Sequence, residues 1–181
     1  TYGGLGSSSG DSVSGGFGMN ASGTVLVGNA WVNAGTAHAV VVRNGVLTSL
    51  GSSSPDRNSR ADAVSNDGTF IGGYQDTPDG SRAAAVWIDG VEQLLTTVDG
   101  DLLGQVNGIS GNGDWAVGGG GYYAGGSAYM WNRNSGLKLL DNPFSDAGFE
   151  LIATSVSFDG SVVIGYGQNF DFERIGWYWT E

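Results

Sequence analysis

The residues of this chain best suited to chemistry are rings and carboxylates. Trp31, Tyr74, Tyr122, Tyr123, Phe144, Tyr166, Phe170 and Phe172 all fall in segments rich in Gly, Asn, Gln and Asp that separate strand-like runs. Flat rings beside amide and carboxylate acceptors suit a neutral glycan, whose sugar faces stack while its hydroxyls hydrogen-bond; the same rings also anchor protein interfaces. The plainer alternative is that some of them only cover the cores of their own loops. The candidate ligand-binding set is Trp31, Tyr74, Tyr122, Tyr123, Tyr166 and Phe170, with the carboxylates of Asp76 and Asp171.

Acids gather in the same segments: Asp76, Asp79, Asp99, Asp101, Asp171 and Glu173. The pairs Asp99-Gly100-Asp101 and Asp171-Phe172-Glu173 offer oxygen ligands, which makes calcium a minor cofactor candidate. The ordered spacing of an EF-hand loop is missing, and solvated loop acids are the alternative. Catalysis is not expected, since no nucleophile elbow, phosphate loop or His-rich set occurs. The one histidine, His38, lies in a strand-like run and reads as structural. Carboxylates paired across a pocket would hydrolyse glycosides, so an extracellular polysaccharide hydrolase is the alternative to a binding module, and a structural spacer is the third reading.

Charge narrows the partners further. Eighteen acidic residues against seven basic ones give a formal charge of −11 over 181 residues. Such a chain repels nucleic acid and anionic membrane surfaces, leaving neutral or cationic ligands. No apolar run approaches the length of a membrane span, so membrane insertion by this domain is not expected. Cysteine is absent, which removes disulfide and thiolate chemistry.

The elements that position these residues come from a repeat. Residues 61–97 read as four short β-rich runs, the first and third ending in Asp-Gly at Asp67-Gly68 and Asp89-Gly90, a dipeptide that supplies φ > 0 in tight hairpins. The glycine closing the first hairpin recurs as Gly23, Gly68, Gly113 and Gly160, at steps of 45, 45 and 47 residues. Gly28, Gly73, Gly118 and Gly165 recur in a second register, and Val42, Trp87, Trp131 and Trp179 in a third. The tryptophans at 87, 131 and 179 are expected to pack between units, because runs such as Ala83 to Ile88 are apolar on consecutive residues, as in a sheet covered on both faces. Only the stretch from Phe144 to Leu151 has room for a helical turn.

The last repeat stops after its third strand, and residues 1–6 resemble a missing fourth. The expected architecture is therefore all-β: a single domain over residues 1–181, a four-bladed β-propeller with four antiparallel strands per blade. Its repeats cover about residues 12–51, 61–97, 106–140 and 153–181 plus 1–6, the N-terminal strand closing the ring. An open solenoid or a piece of a larger ring is the alternative. Strand parity puts tight turns at one end of each blade and the long, varied loops at the other, and that long-loop rim carries the aromatic and acidic residues.

The unit, small-x-x-Val/Ile-Ser-x-Asp-Gly-x-x-Val-x-Gly, then small-x-x-Trp and a Gly-x-x-x-Leu tail, resembles the HAF family of bacterial extracellular repeats. Residues 61–95 and 153–179 match best, while Asn20-Ala21-Ser22-Gly23 with Val42, and Ser110-Gly111-Asn112-Gly113, depart from the pattern. The resemblance covers nearly the whole chain. It implies secretion or display at the bacterial cell surface, as in autotransporter passengers, and transfers no catalytic residues. The function expected is a non-catalytic, adhesin-like recognition module binding glycan or protein with its long-loop rim.

Overall fold

The computed structural model describes residues 14–119 and 126–181. Fifteen strands lie within them, all paired antiparallel. The first sheet contains β1 (Ser14–Met19), β2 (Val25–Trp31), β3 (Ala37–Arg43) and β4 (Val46–Ser49) in that order. The second repeats the arrangement with β5 (Ser59–Val64), β6 (Phe70–Asp76), β7 (Arg82–Ile88) and β8 (Val91–Leu94). A third blade, β9 (Gln105–Ile109), β10 (Trp115–Gly119), β11 (Ala128–Asn132) and β12 (Gly136–Leu139), is joined to β13 (Glu150–Val156), β14 (Val162–Gln168) and β15 (Arg174–Thr180). Gly119 pairs with Ile152, so these seven strands form one sheet. The helical turn expected near Phe144 is a 3-10 helix, Ser145–Ala147.

The closed four-bladed ring is not what the chain forms. Among the described residues its sheets contain four, four and seven strands and none is closed. Each blade packs on the next, β1, β2 and β3 against β5 and β5, β6 and β7 against β9, but no extensive packing joins β1–β4 to β13–β15. Phe17 and Met19 at one end of the succession, and Val162, Ile164 and Tyr178 at the other, stay in solvent where a closed ring would cover them. The strand expected from residues 1–6 lies outside the described residues.

The repeat itself acts through two devices. In every blade the first strand carries a bulge that leaves one residue extra, at Phe17, Asp62, Asn107 and Thr154. Opposite the bulge stands the glycine of the second register. A Cβ on Gly28, Gly73, Gly118 or Gly165 would lie 1.9, 1.9, 1.9 or 2.0 Å from the carbonyl oxygen of Gly15, Arg60, Gln105 or Ile152. The recurring glycines thus admit a backbone, and they lie inside the second strand.

The second device is the first hairpin. Asp67-Gly68 is not a two-residue turn: the Ser65 N–H donates to the Phe70 carbonyl (2.9 Å), and the Ser65 hydroxyl donates to Asp67 Oδ1 (2.6 Å) while accepting from the Phe70 N–H (3.1 Å). Ser110 and Ser157 accept from Trp115 and Val162 in the same way. By contrast Asn44-Gly45 and Asp89-Gly90 have φ of 52° and 77°, and 52° and 81°, the two-residue hairpin their composition calls for. Successive first turns are bonded to one another, Asn66 N–H to the Gly111 carbonyl and Asn112 N–H to the Phe158 carbonyl, both 3.0 Å.

Apolar side chains fill the spaces between blades. Val25, Val27, Ala39 and Val41 meet Ala61, Val64, Ile71 and Trp87; Phe70, Ala84, Val86 and Leu95 meet Val106, Ala116, Tyr129 and Trp131. The third space is filled by Val117, Ala128, Met130, Leu140, Leu151, Ala153 and Val163, with Trp177 and Trp179 partly buried on it. Burial of this kind, at roughly 25 cal/mol per Å² of apolar surface, is what holds one blade on the next.

Candidate functional site

The pairings Ser59↔Gln75 and Glu150↔Gln168 set the starts of first strands beside the ends of second strands, so the long connections share one end of the blades. Tyr166 and Phe170 come together there. They line a cavity of about 300 Å³ with Glu150, Ile152, Gln168, Asn169 and Phe172. A second cavity of about 380 Å³, lined by Arg82, Gln105, Asn107, Gly119, Gly126, Glu150, Ile152 and Tyr166, shares Glu150, Ile152 and Tyr166 with the first. The two form one groove running from the last blade toward the third and second. Phe170 is 90% exposed, and the Arg174 guanidinium lies 4.9 Å from the Tyr166 ring.

The other candidates have different surroundings. Tyr74 is only 7% exposed, with the Arg82 and Arg60 guanidinium carbons 3.6 and 5.1 Å from its ring centre. It is packed between cations and offers no open face for stacking. Asp76 pairs with Arg82 at 3.3 Å. Trp31 is half-buried at the end of β2 in the first sheet and lines neither cavity of the groove. Asp171 is exposed in the loop between β14 and β15, its N–H donating to Asn169 Oδ1 at 3.1 Å. Tyr122 and Tyr123 lie outside the described residues.

Beside the groove stands a polar cluster that motif reading missed. Arg60 Nε approaches Asp62 Oδ1 to 2.7 Å, an ionic contact without hydrogen-bond direction. Gln105 donates to Asp62 Oδ2 (3.1 Å) and accepts from Arg82 (3.3 Å). Burial pushes the Asp62 carboxyl above its ordinary pKa, and the Arg60 guanidinium only partly opposes this. Arg60 also lies over Phe17, 4.4 Å from the ring centre. The signal available in sequence was positional: Asp62 shares the bulge register with Phe17 and Asn107, 45 residues away on either side.

Two of the loop acids, Asp79 and Glu173, are bound within their own turns. Thr77 donates its hydroxyl to Asp79, which lowers the Asp79 pKa, and Ser81 N–H donates to the same carboxylate (3.1 Å). Glu173 accepts from Asn169 Nδ2 at 2.8 Å. Among the described residues no three His, Cys, Asp or Glu side chains are grouped as they would be to hold a metal ion. His38 lies with Nε2 2.8 Å from the Pro55 carbonyl oxygen, tying the link between first and second blades. Among the groove's described lining residues Glu150 is the only carboxylate, whereas glycoside hydrolysis takes a facing pair. No helix among the described residues is long and apolar enough to cross a membrane.

Fold and groove together define an all-β protein of successive propeller-like blades with an aromatic cleft at the long-loop end. Solved structures share the fold. A TolB-type structure from Agrobacterium tumefaciens superimposes with a TM-score of 0.67 at 14% identity over 93% of this chain and 62% of that one. TolB from Acinetobacter baumannii gives 0.61 at 10% identity over 90% of this chain and 40% of the other. The chain thus spans less than two thirds of either protein. No family model and no curated protein matches the sequence.

Proposed function

We propose that this protein is a non-catalytic recognition module, displayed on or exported from a bacterial cell, that binds a glycan or protein segment in the groove between its last two blades. The observation that carries the reading is the groove itself, which Tyr166, Phe170 and Phe172 line together with the amides of Gln168 and Asn169 and the carboxylate of Glu150. Rings that stack on sugar faces next to groups that bond hydroxyls suit a neutral carbohydrate best, and the formal charge of −11 disfavours anionic ones. The exterior location is supported by the resemblance to HAF-type repeats and by the TolB-like fold.

The test is a glycan and host-protein binding screen followed by calorimetry on Tyr166→Ala and Phe170→Ala. Each variant is expected to bind about tenfold more weakly, about 1.4 kcal/mol, while melting within a few degrees of the parent. A ligand whose affinity ignores both substitutions would remove the groove from the reading. Loss of affinity in Trp31→Ala with Tyr166→Ala unchanged would move the site to the first sheet.

A further inference from the structure

Three five-residue turns at the long-loop end are built alike. Residues 77–81 join β6 to β7, residues 169–173 join β14 to β15 at the same place in the last blade, and residues 97–101 lie between β8 and β9. In each, the N–H of the first residue donates to the carbonyl of the fifth: Thr77 to Ser81 (2.8 Å), Thr97 to Asp101 (2.8 Å) and Asn169 to Glu173 (3.2 Å). The N–H of the fourth donates back to the carbonyl of the first: Gly80 to Thr77 (2.9 Å), Gly100 to Thr97 (3.1 Å) and Phe172 to Asn169 (3.1 Å). The fourth residue is thereby left-handed. Gly80 and Gly100 both have φ of 90°, and Phe172 has φ of 63°.

Glycine takes that conformation freely, whereas a bulky side chain in it is an outlier that costs stability. The other described non-glycine residues with positive φ are Asn44 and Asp89, short polar types that tolerate it, in two-residue hairpins that demand it. Phe172 is neither short nor polar, and burial does not offset the cost, since it is 80% exposed. The turn holds it there all the same. Asn169 Oδ1 accepts from the Asp171 and Glu173 N–H groups (3.1 and 2.9 Å), and Asn169 Nδ2 donates to Glu173 (2.8 Å). Backbone strain persists where surrounding bonds over-determine it, and it gathers at ligand clamps. Phe172 also lines the groove, with Phe170 and Tyr166.

We propose that Phe172 stands in place of glycine because it is a ligand-contact residue, and that the ligand is a neutral saccharide, one unit of which stacks on its ring. This inference rests on the groove being a binding site and narrows what it binds. The C–H face of a sugar suits an exposed ring, and Glu150, lining the same cavity, is an acceptor for hydroxyls. Asp171 and Glu173 flank Phe172 in the chain and, with Glu150, repel acidic sugars. Arg174, the next cation along, is engaged by Gln168 at 2.9 Å. The fold gives up stability at this one turn for binding.

The experiment makes Phe172→Gly and Phe172→Ala in the full chain. Melted without ligand, the glycine variant is expected to gain roughly 2–4 °C in Tm, relief of the left-handed conformation outweighing glycine's greater freedom in the unfolded chain. Alanine keeps the left-handed penalty and is expected to bring no gain. On an array of neutral and acidic glycans the parent is expected to retain neutral saccharides only. In calorimetry with a saccharide so retained, both variants bind at least about tenfold more weakly. A glycine variant no more stable than the alanine variant, or one that binds like the parent, overturns the inference; if Tyr166→Ala still weakens binding, the groove reading survives it. Retention of acidic glycans, or of host proteins alone, likewise overturns the saccharide and leaves the groove. A parent that binds neither glycans nor host proteins overturns both.

Discussion

Replacing Gly73 by alanine is the most direct test of why the repeat is written as it is. The added Cβ would lie 1.9 Å from the Arg60 carbonyl oxygen and 2.9 Å from the Ala61 Cα, where real Cβ contacts essentially never fall below 3.0 Å. Both obstacles are backbone atoms, so no rotamer change relieves them, and the bulge at Asp62 must open by about 1 Å. Overpacking of a well-filled site costs about 1–3 kcal/mol, and a strained ladder bond adds about 1 kcal/mol. Against this, alanine in a strand has an advantage over glycine of about 0.5–1 kcal/mol. The net expectation is a loss of about 2 kcal/mol. In a chain of this size it lowers Tm by roughly 4–8 °C. The control is Gly35→Ala, whose new Cβ would meet only Asn33 Oδ1 at 3.9 Å, with an expected change within about 0.5 kcal/mol. Thermal and urea unfolding followed by circular dichroism measure both. Equal stability of the two variants would refute close backbone approach as the reason for the glycine register.

Two further predictions concern the first hairpin turns. Ser65→Ala removes the acceptor of the buried Phe70 N–H and the donor to Asp67, so urea unfolding should show a loss of about 1–3 kcal/mol, whereas a change below about 0.5 kcal/mol would make the hydroxyl dispensable. Bonds from Ser161 and Ser157 lower the Asp159 pKa from 3.8 to about 2; the stability this group contributes is therefore complete above its unfolded pKa and is lost as pH falls from about 3.8 to about 2. Asp159→Asn, which copies the native Asn112 of the third blade, should flatten that part of the acid-unfolding profile, and an unchanged profile would exclude Asp159 as a contributor.

The sequence alone determined what depends on neighbours along the chain. A hairpin needs only a few adjacent residues of the right kind, so spacing of 45, 45 and 47 residues was enough to place the first hairpin of each repeat and to separate short turns from long loops, but not to give the sheets of four, four and seven strands. Consecutive apolar residues around Trp87 and Trp131 announced burial on both faces, and both tryptophans are buried between blades. What remained hidden depends on residues far apart. Ring closure is set by the angle at which one blade packs on the next, a sum over interfaces that no local pattern encodes, and among the described residues the succession stays open.

Tertiary structure also decided the site. Tyr74 and Tyr166 occupy the same place in their repeats, yet Tyr74 is packed against two arginines, while Tyr166 faces a groove. The difference arises within the blades: Arg60 on β5 and Arg82 on β7 both lie over Tyr74, whereas Arg174 on β15 lies 4.9 Å from the Tyr166 ring. Asp62 likewise reads as an ordinary strand residue until its bulge sets it against Arg60 and Gln105. Period and composition are local properties and survive in the one-dimensional text; burial and the meeting of distant side chains exist only once the chain has folded.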